Sequence, residues 1–471
     1  MENSKVFDKG QLIAKGNTIT IDTETVDYNE LFTLSVLETI NEKAREYYLD
    51  TPFVNELFRD YFLPLICIER YLCNKEVRFI DATSASNELR GILCDYAETR
   101  GIKYSGRINK IISQTKYFAY VAFTSIYLGI KQFRRKTSKR DNVCEEDKTI
   151  SICRTPAAYK KIIKIYDKNV FREEKPGEGN VYDQLSKKDL FRCLRRGREQ
   201  ARKEIKQMRK DLFDRNYINI YYASLSYYKS RVVHTFFYEN VVEQVIINGD
   251  YSTFITGNNL DRFAVIEEEI AKRYNLELIC IPHGIEYGYR FPKCFIGDRF
   301  FTTSECAAQW LNRLYGTDKF VFDNILTNKM FKVDYNRPAG RKVVFFSEPR
   351  ESNISIEILE KLARQLNNAG IRLFLKLHPK DSYEMYKDVL TRFDIGMISD
   401  LNEAICGNVC VARKSTTLIE ALYNESSSYA IIINEKDKCI FRTFPSLQDP
   451  HINYYEDISD LAKAIENEIL K

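Results

Sequence analysis

One tryptophan, five methionines and four histidines are all that this 471-residue chain holds of those types. Prolines number 11 and glycines 19, too few for extended linkers or low-complexity tracts. No apolar run approaches the roughly 18 residues needed to span a bilayer, so the chain is not expected to be transmembrane. The 12 cysteines fall at irregular spacings, with no CxxC pair and no signal-peptide pattern before them. That favours reduced thiols in a cytoplasmic enzyme over a disulfide framework or a zinc site. GxGxxG, P-loop and metal-ligand patterns are all missing.

What is present describes a globular protein, with 44% hydrophobic and 29% charged residues. At this length two or three domains are expected. The 31 tyrosines and 29 phenylalanines are spread along the chain and read mainly as core. Net charge is only +5, but basic residues concentrate at 131–140 and 187–210. The aromatic stretch 117–130 ahead of the first cluster reads in two ways. It is either a surface for an anionic membrane or a buried helix with basic residues at its C-terminus. No nucleic-acid motif accompanies the charge, so a nucleic-acid partner is not expected.

Strand, turn and helix signals alternate. Glu76–Ile80 reads as a strand that meets a polar turn from Asp81 to Asn87 and then a helix. Thr149–Cys153 reads as another strand. A charged helix follows over 187–213, with a second, apolar helix over 217–245. Strands return at 251–255 and 276–281, the latter stopping at Pro282-His283-Gly284. A new unit begins with the strand 342–346 and the turn Ser347-Glu348-Pro349-Arg350. Further strands are expected at 371–377, 409–412 and 430–434, with helices between and after them. The fold class is therefore α/β: two Rossmann-type domains, 1–330 and 331–471, with the boundary in 327–341 and a helical insertion at about 185–245.

Two strand ends carry residues suited to a phosphate. Phe374-Leu-Lys376-Leu-His378-Pro379-Lys380 offers a histidine and two lysines. Arg413-Lys414-Ser415-Thr416-Thr417-Leu-Ile-Glu420 offers hydroxyls and free amides at the start of a helix, where the dipole favours an anion. His283 and His378 both end predicted strands, where an imidazole can take a proton from a hydroxyl or bind a leaving phosphate. His234 and His451 read as structural.

In these motifs the chain resembles bacterial surface-polysaccharide glycosyltransferases of the GT-B type. The His283-Gly284 turn is similar to the end of the N-domain in capsule-biosynthesis enzymes. Val343–Pro349, Lys376–Pro379 and Ser415–Glu420 resemble the C-domain of bacterial sialyltransferases and polysialyltransferases. CDP-glycerol glycerophosphotransferases share the two histidines and a related serine motif. The resemblance spans roughly 246–434, and the first 240 residues resemble no family. It implies a CMP-sugar donor held by Ser347, Glu348, Lys376, Pro379, Ser415, Thr416, Thr417 and Glu420. His283 or Glu286 would act as base, because His283-Gly-Ile-Glu286-Tyr-Gly288 stands where the sialyltransferases carry an acidic pair. His378 would protonate or hydrogen-bond the departing phosphate. Gly284, Asp81 and Asn258, in turns after predicted strands, are expected on the acceptor side.

The expected activity is inverting, metal-independent transfer of a sialic-acid-like or Kdo-like sugar to a surface glycan or lipid-linked acceptor. No cofactor is expected beyond the CMP-sugar co-substrate. The protein is expected in the cytoplasm, at the inner membrane face, with peripheral contact through 131–140 and 187–210. A CDP-polyol phosphotransferase, a UDP-sugar transferase and a non-catalytic scaffold are the alternatives.

Overall fold

Short apolar runs closed by polar turns become the strands of two parallel sheets in the computed structural model of the chain. It describes residues 10–135, 148–173, 179–257, 260–281, 284–293, 296–335, 340–348 and 352–470. Two compact units emerge: Met1–His283 with Tyr289–Phe300, and Gly284–Gly288 with Phe301–Lys471. The main break thus falls at Phe300, ahead of the 327–341 stretch read from sequence, and a short piece before it already belongs to the second unit.

The first unit opens with β1 (Gln11–Gly16), β2 (Thr18–Ile21) and β3 (Glu24–Asp27), then helices α1 (Leu34–Lys43), α2 (Val54–Leu57) and α3 (Leu63–Leu72). Next come β4 (Phe79–Ala85), α4 (Asn87–Arg100) and β5 (Lys103–Ser105). Their sheet runs β3-β2-β1-β4-β5 and is mixed: β1–β2 and β2–β3 are antiparallel, β1–β4 and β4–β5 parallel. Asp81 therefore lies inside a strand, not in the turn expected after Ile80. It also sits in a sheet other than the Rossmann-type one.

A second sheet follows α5 (Lys110–Phe133). Its strands are β6 (Thr149–Cys153), β7 (Val170–Arg172), β8 (Thr253–Thr256), β9 (Glu277–Cys280) and β10 (Arg299–Phe301). They are parallel, in the order β7-β6-β8-β9-β10, and the winding reverses between β6 and β8. Between β6 and β7 lies α6 (Pro156–Ile162). The helical body is α7 (Lys187–Asp214), α8 (Ile218–Tyr228) and α9 (Val232–Asn248), and α10 (Arg262–Arg273) links β8 to β9. The single apolar helix expected over 217–245 is two helices. Buried Asp95 of α4 accepts from the backbone N–H groups of Asn219 and Ile220, at 2.8 and 2.7 Å, and so starts α8 from a distant element. Gly197 of α7 meets α9 so closely that a Cβ would stand 2.6 Å from the Phe237 nitrogen.

The second unit begins with α11 (Glu305–Tyr315), β11 (Phe320–Val321) and α12 (Asn324–Phe331). Then come β12 (Val343–Phe346), α13 (Ser352–Asn368), β13 (Leu373–Lys376), α14 (Tyr383–Arg392), β14 (Gly396–Met397) and α15 (Leu401–Ile405). The remainder is β15 (Val409–Ala412), α16 (Thr417–Leu422), β16 (Ser427–Ile431), α17 (Glu435–Thr443), β17 (Ile452–Tyr455) and α18 (Ile458–Ile469). Its sheet, β14-β13-β12-β15-β16-β17, is parallel throughout and has the strand order of dinucleotide-binding folds. Val343-Val-Phe-Phe346 and Val409-Cys-Val-Ala412 are buried at every position, as a sheet covered on both faces requires. The strand expected at 430–434 lies at Ser427–Ile431, a few residues earlier, and β17 follows it unforeseen. With one Rossmann-type sheet in each unit, the α/β class with two Rossmann-type sheets expected from sequence is present. Among the described residues no helix is long and apolar enough to cross a membrane.

Candidate functional site

In an open parallel sheet, ligands bind beyond the carboxyl ends of the strands, where the winding reverses. In the second unit that place lies between β12 and β15. Ser347 and Glu348 leave β12, and Arg413 to Thr417 leave β15. The Ser347 hydroxyl donates to Asp381 Oδ2 at 2.6 Å and accepts from the His378 amide at 2.9 Å. Glu348 Oε1 accepts from the Lys414 amide at 2.7 Å. Two adjacent residues thus tie the His378 loop on one side to the Lys414–Ser415 loop on the other.

These bonds change several sequence-derived roles. Ser347 spends its hydroxyl inside the protein, so it positions His378 instead of reaching a donor. Arg413 is fully buried and grips buried Asp437 through two bonds, Nε–Oδ2 at 2.9 Å and Nη2–Oδ1 at 2.5 Å. Lys414 Nζ reaches the same carboxylate at 3.1 Å. The two cations ahead of the Ser415 hydroxyls are therefore largely neutralised by Asp437 and Glu348. Burial pushes the Glu348 carboxyl above its ordinary value, against the opposing pull of Lys414 and Arg413.

His378 is half-buried, and its Nδ1 accepts from the Lys380 amide at 3.1 Å. That bond leaves the ring proton on Nε2. Burial holds the imidazole below its ordinary 6.5, with Lys380 and Lys376 adding to this and Asp381 opposing. At neutral pH the ring is uncharged and offers one N–H donor, which favours hydrogen bonding over protonation of a leaving phosphate. An NMR titration is expected to give the His378 ring a midpoint below 6.5. A midpoint above 7 would restore the imidazolium.

Ser415, Thr416 and Thr417 are half-buried at the start of α16. Thr417 donates to the Ser415 oxygen from its amide at 3.3 Å and its hydroxyl at 2.8 Å, while Thr416 makes no side-chain cap bond. The helix has six residues, so its dipole adds less than a long helix would. Glu420 lies in its first turn. Lys376 donates to the Leu377 carbonyl at 3.1 Å, and Pro379 is exposed.

Glu286 is 2% exposed and fully occupied. Oε1 accepts from the Thr303 amide at 2.6 Å, and Oε2 from the Thr303 and Ser446 hydroxyls at 2.9 and 2.7 Å. Burial raises its carboxyl despite those donors. Such a group is a structural clasp within its unit, not the general base expected as an alternative to His283. The same segment is seated by the Trp310 indole N–H on the Gly288 carbonyl, at 2.9 Å. His283, Asn258 and Pro349 lie outside the described residues. Gly284 has open space where a Cβ would stand. Asp81 accepts from the Thr83 amide and from the Thr83 and Ser105 hydroxyls, at 3.0, 2.7 and 2.8 Å. Exposed His451 pairs with Asp449 at 2.9 Å.

Sequence reasoning missed a second cluster, at the carboxyl ends of β6, β7 and β8 in the first unit. Arg154 follows β6, Glu173 follows β7, and Asp261 lies between β8 and α10. His234, set aside as structural, projects from the start of α9. Its Nε2 lies 2.8 Å from Glu173 Oε1, which also accepts from the Tyr182 hydroxyl at 2.9 Å. Arg154 reaches Glu173 Oε2 at 3.4 Å and Asp261 Oδ2 at 3.6 Å, with its guanidinium 3.7 Å from the Phe263 ring centroid. Burial pushes the Glu173 carboxyl up. The bond and charge of His234, with Arg154 and Tyr182, outweigh this and hold it at about 2. With Glu173 on Nε2, the Nδ1 of His234 has no hydrogen-bond partner among the described residues, and the side chain is 24% exposed. An imidazole oriented by a carboxylate through one nitrogen can take a proton at the other. Spacing held no clue, since Glu173 and His234 are 61 residues apart.

Among the described residues, no group of three or more His, Cys, Asp or Glu side chains is placed to hold a metal ion. No protein-family model and no curated protein matches the chain. Solved structures similar to it include E. coli heptosyltransferase WaaC with ADP, at 11% identity and a TM-score of 0.35 over 68% of this chain and 99% of that one. Another is UDP-N-acetylglucosamine 2-epimerase from Rickettsia bellii, at 12% and 0.33 over 68% and 94%. A third is S. aureus MnaA with UDP, at 13% and 0.32 over 69% and 96%. At such similarity, function has to be argued from the chain's own geometry.

Proposed function

We propose that the chain is an inverting glycosyltransferase whose second unit holds a nucleotide-activated sugar and whose first unit holds the acceptor hydroxyl. The observation that carries this reading is the tie from His378 through Ser347 and Glu348 to Lys414, across the winding reversal of a dinucleotide-type sheet. It sets a neutral N–H donor and a run of hydroxyls around the place where such sheets take phosphate. Within the first unit, Nδ1 of His234, held by Glu173, is the group that could take a proton from a hydroxyl. The acceptor oxygen would bond to the anomeric carbon as the bond from that carbon to the phosphate oxygen breaks. His378 Nε2–H and the hydroxyls of Ser415 and Thr416 would receive the charge developing on the nucleotide.

The finest form of the reading keeps a CMP-linked 2-keto sugar as donor and a surface glycan or lipid-linked oligosaccharide as acceptor. The place of action is the inner membrane face. No metal and no cofactor beyond the co-substrate enters it.

The test is thermal unfolding with CMP, CDP, UMP, UDP and GDP in turn. CMP at saturation is expected to raise the midpoint on the order of 5 °C. Equal response to CDP would favour polyol-phosphate transfer, and response to UDP alone would replace cytidine with uridine. No response to any nucleotide would leave a scaffold.

A further inference from the structure

Helix α5 is amphipathic the wrong way round for a helix that only packs against its own protein. Its fully buried positions are Tyr117, Ser125, Leu128 and Gln132, on the side that meets α7 and α8. The opposite side carries nine large apolar residues in the open, among them Ile111 at 76%, Phe133 at 69%, Phe123 at 65%, Phe118 at 64% and Ile126 at 62% exposed. At 3.6 residues per turn these positions sweep an unbroken arc of roughly 200°. Surface helices normally bury their apolar stripe, and an exposed patch of this size marks an interaction surface.

Charge says what covers it. Helix α5 has no acidic residue, and its own cations are Lys110, Lys116 and Lys131. Beside it, α7 carries eleven Lys and Arg against five Asp and Glu, an excess that selects an anionic partner. Between the two helices runs a groove of about 420 Å³. Its floor includes Val121, Ala201 and Leu225, and Arg198, Arg202 and Arg209 stand along it. Lys229 lies over the Tyr120 ring at 4.3 Å, so the aromatic belt is rimmed with cations on that side too. Apolar side chains in the open, tyrosines among them and cations at the edges are what a helix lying in a lipid headgroup layer needs.

We infer that the α5 face is a docking surface for an anionic phospholipid bilayer, with the α5–α7 groove receiving a lipid acyl chain whose phosphate meets the α7 arginines. This rests on and deepens the membrane-face part of the proposed function: it keeps the basic 187–210 segment, within α7, and adds the apolar face of α5. The basic segment 131–140 lies partly outside the described residues. The apolar side chains of α5 supply insertion, and α7 supplies the attraction, worth about 1 kcal/mol or fivefold per cation near an anionic surface.

The experiment is co-sedimentation of the full chain with vesicles of equal phosphatidylcholine and phosphatidylglycerol, against pure phosphatidylcholine, without nucleotide or acceptor. Strong binding to the mixed vesicles is expected, weakening as salt is raised. The triple variant Phe118→Ser/Phe123→Ser/Ile126→Ser is expected to lose binding at least tenfold. Arg202→Glu/Arg209→Glu is expected to lose the preference for anionic vesicles, and both variants should melt within a few degrees of the parent. Two results would overturn the inference: no vesicle binding by the parent, or a dimer in light scattering that the serine variant dissolves while vesicle binding persists. Nucleotide-dependent melting is read separately on the same variants. Failure of the membrane surface and failure of the donor site are therefore distinguishable.

Discussion

Asp437→Ala is expected to cost the second unit about 3–5 kcal/mol of stability, the usual penalty for stripping one partner from a buried ion pair. Arg413 and Asp437 are both fully buried, and the pair is joined through two hydrogen bonds. Without the carboxylate, the guanidinium stays in the interior, where Glu348 stands 4.0 Å away. Lys414 loses its bond to the same carboxylate in the same stroke. For a unit of this size the loss corresponds to a fall in midpoint on the order of 10 °C. Urea unfolding followed by tyrosine fluorescence or circular dichroism measures it, and a loss below 1 kcal/mol would mean that water reaches the pair. The double change Arg413→Met/Asp437→Leu should be far milder, because it removes both charges together.

The second large effect is on turnover. With the donor identified, His234→Asn is expected to lower kcat by about 10²- to 10⁴-fold, the range for a general base, with donor KM little changed. Glu173→Gln should move kcat the same way, since it removes the charge that orients the ring. His283→Asn, run alongside, discriminates the two histidines. Full loss there with near-normal turnover in His234→Asn would place the base on His283 and leave the Glu173 cluster a structural role. Stability gives an independent readout. Glu173 stands at about 2 in the folded chain against an ordinary 4.5. Its contribution is therefore complete above pH 4.5 and lost as pH falls towards 2. His234→Asn removes the largest of the influences that lower it, so this acid-side loss should shrink.

Much of the second unit was legible because its central strands are unbroken apolar runs ending in polar turns. Val409–Ala412 was placed to the residue. Its edge strands were not foreseen. Gly396–Met397 has two residues, and Ile452–Tyr455 exposes two of its four. Edge pairing of such short segments is decided by the neighbouring strand, not by local propensity. In the first unit the mixed sheet hid behind the same limitation, and Asp81 was misplaced because β4 continues through Asp-Ala-Thr-Ser-Ala.

At the candidate site, the positions at strand ends could be read, but the fate of each side chain could not. Ser347 is claimed by Asp381 at a separation of 34 residues, and Arg413 by Asp437 at 24. A motif lists groups that could meet a phosphate. It is silent on which have already been matched inside the protein. His234 shows the converse: no motif surrounds it, and only the fold supplies its carboxylate.

The clasp around Glu286 has a consequence for how the chain comes off the ribosome. Its acid is translated 160 residues before Ser446, one of the three donors that fill it. By then the first unit is all but complete, yet Gly284–Gly288 belongs to a unit whose sheet has not been made. That segment must wait, its carboxylate wet, until the region around Thr443 and Ser446 has been made. A nascent chain stalled before residue 440 should therefore keep Glu286 accessible and ionised, and that carboxylate first leaves water once Ser446 has emerged.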